Sequence, residues 1–222
     1  MNKKPIVATM IGDPAGIGPE VVAKAWASGE IHQYCEPVLV GSADVMQDVV
    51  DENQLSLTIN MIQSVDEKTN DPAVIDILDS GKFDMGSYTK GQDNVSCGQI
   101  SADWLEEMDQ LALSGAVDAT VMAPISSVSM KMANVLDKII EIEPGHSYLF
   151  LISGPLRVMH LTDHIPLRDV CELINKDLVA GAIEKLNDSL IEWGISDPRI
   201  VVAGLNPHAS GAEEDNEIRP GV

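Results

Sequence analysis

The sequence predicts an α/β fold built largely on parallel strands. Three observations carry that expectation. Apolar, strand-like runs alternate with amphipathic, helix-like stretches along the whole chain. Glycine and proline separate them at turn-like positions. A glycine-rich turn at residues 12–18 joins the first apolar run directly to a helix opened by Pro19. The chain has 222 residues, 45% of them hydrophobic, which is enough for a sizeable core and excludes a disordered chain.

The elements follow in order. Residues 5–11 read as a buried strand. Val21, Val22, Ala25 and Trp26 then form one apolar helix face that Gly29 stops. Residues 37–40 are a short strand, and 43–50 a helix with Val45, Val49 and Val50 inward. Leu55, Leu57, Ile59 and Met61 alternate with polar residues, as in a strand covered on one face. Residues 66–98 are polar and read as a long irregular connection, with room for a short strand or helix at 74–78. Ser101 is the expected cap of a helix carrying Trp104, Leu105, Met108, Leu111 and Ala112, ended by Gly115. Strands are expected at 118–123, 149–152, 156–161 and 199–205. Asp177 is the expected cap of a long helix with Val179, Ile183, Leu186, Leu190 and Trp193 inward.

Charge narrows the partners. Fourteen basic and 35 acidic residues leave a net charge of −21, which repels phosphate backbones and anionic lipid. Neither nucleic acid nor membrane is expected, and an anionic substrate needs a local positive site. Cys35, Cys97 and Cys171 lack the number and spacing of a disulfide framework or zinc site, which suits reduced thiols in the cytoplasm. Lys3 and Lys4 before an apolar run mimic a secretory signal, but the run is short, contains Pro5 and meets Asp13 without a cleavage motif, so it reads as a strand.

Candidate chemistry sits at strand ends. The 12–20 turn lets backbone approach a ligand, and a helix N-terminus favours anions; it is neither a dinucleotide fingerprint nor a P-loop. Asp13 could orient a hydroxyl or a cofactor, or simply cap its own turn. His146, His164 and His208 all fall at loops or strand ends. They could converge on one metal, or stand as three separate structural histidines. Asp163 beside His164 could hold its tautomer, or be a turn residue.

Five segments occur together in order: Gly-Asp-Pro-Ala-Gly-Ile-Gly-Pro-Glu at 12–20, Ala-Pro-Ile at 123–125, Pro-Gly-His-Ser at 144–147, His-Ile-Pro-Leu at 164–167 and Gly-Leu-Asn-Pro-His-Ala at 204–209. This set resembles the 4-hydroxythreonine-4-phosphate dehydrogenase family of vitamin B6 biosynthesis. The resemblance implies a two-domain α/β/α fold like that of isocitrate and isopropylmalate dehydrogenases, C-terminally incomplete here because members continue beyond this chain. It implies a first α/β domain at 1–123, completed by the C-terminal part, and a second, substrate- and metal-side domain at 124–222. The implied reaction is NAD- or NADP-dependent oxidation, with decarboxylation, of a phosphorylated hydroxy acid such as 4-phosphohydroxy-threonine. A divalent metal (zinc, magnesium or cobalt) is implied too. His164 and His208 match the family's metal ligands, a third coming from the partner subunit of a homodimer. His146 and Ser147 match its substrate-contacting pair. No catalytic base or cofactor-binding residue is assigned. Ser126, Ser127 and Tyr148 stand where the family pattern has other residues. Those changes leave two alternatives open: a relative acting on phosphorylated threonate or erythronate or on a dihydrodiol carboxylate, or a non-catalytic member.

Overall fold

The computed structural model describes residues 3–139, 145, 147–205, 218, 221 and 222. The chain forms two compact units, Met1–Ile140 and Glu141–Val222.

The first unit is a five-stranded parallel sheet with helices. Its elements are β1 (Ile6–Met10), α1 (Gly18–Ala27), α2 (Ile31–Tyr34), β2 (Glu36–Val40), α3 (Ala43–Glu52), β3 (Thr58–Ile62), β4 (Val74–Leu78), α4 (Val95–Leu113), β5 (Ala119–Met122) and α5 (Ser127–Met132). The strand order is β3-β4-β2-β1-β5, every pairing parallel. Both faces of the central strands are covered, so those strands read as continuous apolar runs. Ala8, Met10, Val38, Val40, Ile75 and Ile77 are completely buried.

Chain direction explains the layers. The steps from β1 to β2 and from β2 to β3 run one way across the sheet, and the step from β4 to β5 runs back past β1. Right-handed crossovers therefore put α1 and α3 on one face and α4 on the other. Accordingly α1 packs on α3, and α4 packs on α5.

Several local expectations change in three dimensions. The 74–78 segment is not incidental: as β4 it lies inside the sheet. Its polar residue, Asp76, is buried but fully engaged, accepting from Asn60 Nδ2 (2.7 Å), Thr69 N (2.8 Å) and Thr69 Oγ1 (2.9 Å). That network hides the apolar pattern from a reading of periodicity. Helix α4 starts earlier than Ser101; Asn94 is its cap, accepting from Cys97 N at 2.9 Å. Ser101 lies inside the helix, its hydroxyl donating to the Cys97 carbonyl at 2.8 Å. The first turns of α4 are small and polar, and Gly98 among them lets Ser129 of α5 approach: a Cβ there would lie 2.0 Å from the Ser129 carbonyl oxygen. Residues 124–139, expected in the second domain, pack in the first unit, where Met130 is fully buried in the core.

The second unit contains a two-stranded antiparallel hairpin, β6 (Phe150–Ser153) and β7 (Leu156–Met159), followed by α6 (Leu167–Leu173) and α7 (Lys176–Glu192). Ile174, Val179 and Ile218 form its small core. Asn175, not Asp177, caps α7, accepting from Asp177 N and Leu178 N, each at 3.0 Å. Residues 199–205 carry a strand-like sequence but form no strand, and Val201 is 91% exposed. A strand exists only when a neighbour supplies its ladder, and none among the described residues does.

Candidate functional site

The connections leaving β1 and β5 run to opposite faces of the sheet. Helix α1 follows β1 on one face, and α5, packed on α4, follows β5 on the other. The crevice outside the carboxyl ends of these two adjacent strands is thus a topological switch point, where open α/β sheets bind ligands.

The turn after β1 is built to meet the turn after β5. Gly12 adopts φ +80°, and a Cβ on it would stand 2.2 Å from the Pro124 carbonyl oxygen. Gly18 is equally tight: a Cβ would lie 2.3 Å from the Ile11 carbonyl oxygen. These two glycines are required by close backbone approach. Asp13 N donates to Pro124 O at 3.0 Å, and Asp13 Oδ1 accepts from Ala15 N at 2.7 Å. Asp13 is buried, so its turn-capping role is real.

A third segment closes the crevice. Gly91 N donates to Ala15 O at 2.7 Å, tying residues 91–93 to the glycine turn. The Ser126 hydroxyl donates to Asp93 Oδ1, and the Ser129 hydroxyl donates to the same oxygen at 3.2 Å. Ser126 Oγ in turn accepts from Ser129 N at 3.1 Å as the cap of α5. The result is a cavity of about 250 Å³ whose lining includes Asp13, Gly16, Ile17, Gln92, Asp93 and Ser126. Cys97 is fully buried and lies within electrostatic reach of Asp13. Burial pushes its thiol above the ordinary value, the Asn94 amide opposes that, and the Asp13 carboxylate adds to the upward push.

Asp93 and Gln92 escaped the sequence reading because they fall in the polar 66–98 stretch. The available signal was Asp93-Asn94 immediately before a helix, an N-cap pattern.

The histidines fare differently. His164 lies in the second unit with φ +46° and a side chain that is 95% exposed. Its Nε2 is 3.7 Å from Asp163 Oδ2. An imidazole beside a carboxylate has the donor chemistry of one metal ligand and its orienting partner. His146 and His208 lie outside the described residues, as do Asn206 and Pro207. Ser147 is half-buried on the approach to β6. Among the described residues no group of three His, Cys, Asp or Glu side chains comes together. Also among the described residues, no helix is long and apolar enough to cross a membrane. The second unit has its own groove, about 700 Å³, between the hairpin and α7, walled mainly by apolar side chains such as Leu156, Val158, Ile183 and Leu186.

The family described as pyridoxal phosphate biosynthetic protein PdxA matches residues 33–222. The chain belongs to this family. It is 48% identical over 219 residues to a protein of Novosphingobium aromaticivorans provisionally named 4-hydroxythreonine-4-phosphate dehydrogenase, covering 99% of this chain and 66% of that protein. It is 33% identical over 233 residues to a protein of Symbiobacterium thermophilum provisionally named D-threonate 4-phosphate dehydrogenase, covering 100% of this chain and 70% of the other. The crystal structure of a 4-hydroxythreonine-4-phosphate dehydrogenase from Burkholderia phymatum superposes with a TM-score of 0.83 at 29% identity, covering 100% of this chain and 70% of that one. This PdxA-family chain therefore spans about two thirds of the length of the proteins it matches.

Proposed function

We propose that this chain belongs to an enzyme that oxidises a secondary alcohol on a phosphorylated hydroxy acid with NAD or NADP and then releases carbon dioxide, 4-phosphohydroxy-threonine being the first substrate to test. The observation that carries the proposal is the cavity at the β1/β5 switch point, closed by the glycine turn, in a chain with a 48% identical relative of that name.

The cavity has acceptors in Asp13 and Asp93, and apolar walls in Ile17, Pro124 and Ile125. That set fits the nucleoside end of a nicotinamide cofactor: hydroxyls for the carboxylates, a flat ring for the aliphatic side chains. At about 250 Å³ it falls just short of the roughly 300–1,000 Å³ of drug-sized sites, so it takes one end of a dinucleotide. The glycine turn and the 91–93 segment hold that end. The cofactor supplies the hydride acceptor when bound.

On the second unit, His146 and Ser147 are the proposed substrate contacts, and His164 and His208 the proposed ligands of a divalent metal. The motifs at 144–147, 164–167 and 204–209 support these assignments. A divalent ion there supplies Lewis acidity to hydroxyl and carboxylate oxygens. A cytoplasmic homodimer, with one more ligand from the partner subunit, completes the proposal.

A second reading is oxidation of D-threonate 4-phosphate. The relative of that name supports it, as do Ser126, Ser127 and Tyr148, which depart from the family pattern. One experiment separates the two. The protein is incubated with NAD, a divalent metal and each phosphorylated acid, and reduced cofactor is followed by absorbance. Faster turnover of 4-phosphohydroxy-threonine supports the first reading and faster turnover of threonate phosphate the second. Silence with every acid in folded protein rejects both.

A further inference from the structure

We infer that the β1/β5 cavity selects NAD against NADP, and that Asp93 is the residue that does so. The inference rests on the proposed dehydrogenase reading and adds to it a determinant of cofactor choice.

Two carboxylates, Asp13 and Asp93, face the cavity, and none of its lining residues is Lys, Arg or His. The lysine next to the lining segment, Lys90, is already paired with Glu52. The two carboxylates are not equivalent. Asp13 is buried and committed to its own turn through Ala15 N. Asp93 is exposed, and among the described residues its side-chain hydrogen bonds come from Ser126 and Ser129, both to Oδ1. Those two hydroxyls fix the carboxylate's position and leave Oδ2 to accept from a ligand. Ile17, 64% exposed on the rim, supplies an apolar surface beside it. Solvent exposure of a large aliphatic side chain on a glycine turn fits a surface that a flat heterocycle covers.

A ribose hydroxyl donates to a carboxylate; a 2′-phosphate cannot, and it adds about two negative charges. Placed against Asp93, in a molecule of net charge −21, that phosphate meets repulsion with no cation in the lining to offset it. The expected discrimination is tenfold or more in favour of NAD.

The test is equilibrium binding of NAD and of NADP to the full chain by calorimetry, without substrate. NAD binding at least tenfold tighter than NADP supports the inference. So does a ratio that collapses in Asp93→Asn. Gln92→Lys, a surface change in the lining, should improve NADP binding several-fold, a gain that misfolding cannot imitate. Ile17→Ala should weaken both cofactors by a similar factor. Equal binding of the two cofactors by the native chain, or a ratio unmoved by both Asp93→Asn and Gln92→Lys, overturns the inference and leaves the dehydrogenase reading standing. No binding of either cofactor by folded protein overturns both.

Discussion

The backbone amide of Asp13 donates to the carbonyl of Pro124 at 3.0 Å, joining the turn after the first strand to the turn after the fifth. This one bond spans the point where the sheet's connections diverge. The cavity exists because those two turns touch, and they touch because Gly12 and Gly18 carry no Cβ.

Replacing Gly12 by alanine therefore combines two penalties, a left-handed φ and a backbone clash. The expected loss is about 2–4 kcal/mol. Gly29 has a similar φ of +72° but open space where its Cβ would go, so Gly29→Ala should cost only about 1–2 kcal/mol. Urea denaturation of the two variants measures the difference, and equal losses would refute the close-approach argument.

Asp76→Ala removes one buried carboxylate and strands the Asn60 amide together with the Thr69 N–H and hydroxyl. Asn60 is half-buried and Thr69 exposed, so water compensates in part, and each lost bond to the charged group counts about 1 kcal/mol. A drop of about 3 kcal/mol in unfolding free energy is expected, without change in the denaturant slope. Asp76→Asn, which keeps an acceptor, should lose less.

His32 packs edge-on to the buried Trp26 ring, with centroids 5.1 Å apart. Burial, and then the nearby Lys4 charge, lower its pKa, while Asp71 opposes them. The folded state thus prefers neutral imidazole. Its contribution to stability is full above the unfolded value near 6.5 and is lost as pH falls from there through the folded value. His32→Gln cannot titrate, so the native chain's stability should fall faster than the variant's below about pH 6.5. Parallel pH profiles from thermal melts would contradict this.

The thiols should separate by reactivity. Cys171 is exposed, whereas Cys97 is fully buried and its thiol is held protonated by burial, with Asp13 reinforcing it. A thiol reagent at neutral pH should label Cys171 rapidly and Cys97 only on unfolding. Mass spectrometry of peptides after brief labelling reads the order. Rapid labelling of Cys97 in folded protein would show that the packing around the first turn of α4 opens.

For the proposed metal, Asp163 is the informative position. Loss of a carboxylate that orients a ligating imidazole typically lowers affinity about 10–100-fold. Asp163→Asn should do the same to zinc binding measured by calorimetry, and His164→Ala should do more. Unchanged affinity in both variants would remove His164 from the metal site.

The sequence by itself determined the local grammar. Alternating apolar runs and helix periods and the glycine turn at 12–18 are all set by neighbours within about ten residues. Period, capping and turn chemistry act over that range. The exceptions are instructive. Asn94 and Asn175 displaced Ser101 and Asp177 as caps, because a cap is chosen by where the backbone turns extended, not by residue type alone. Only the tertiary structure decided adjacency. It set β4 inside the sheet with Asp76 satisfied from β3 and the following loop. It withheld a ladder from 199–205. It also brought Asp93 to Ser126 across 33 residues and Ile6 to Asp118 across 112. Contacts at that separation depend on the order in which strands pair. No single stretch of chain encodes that order, because the whole buried core selects it.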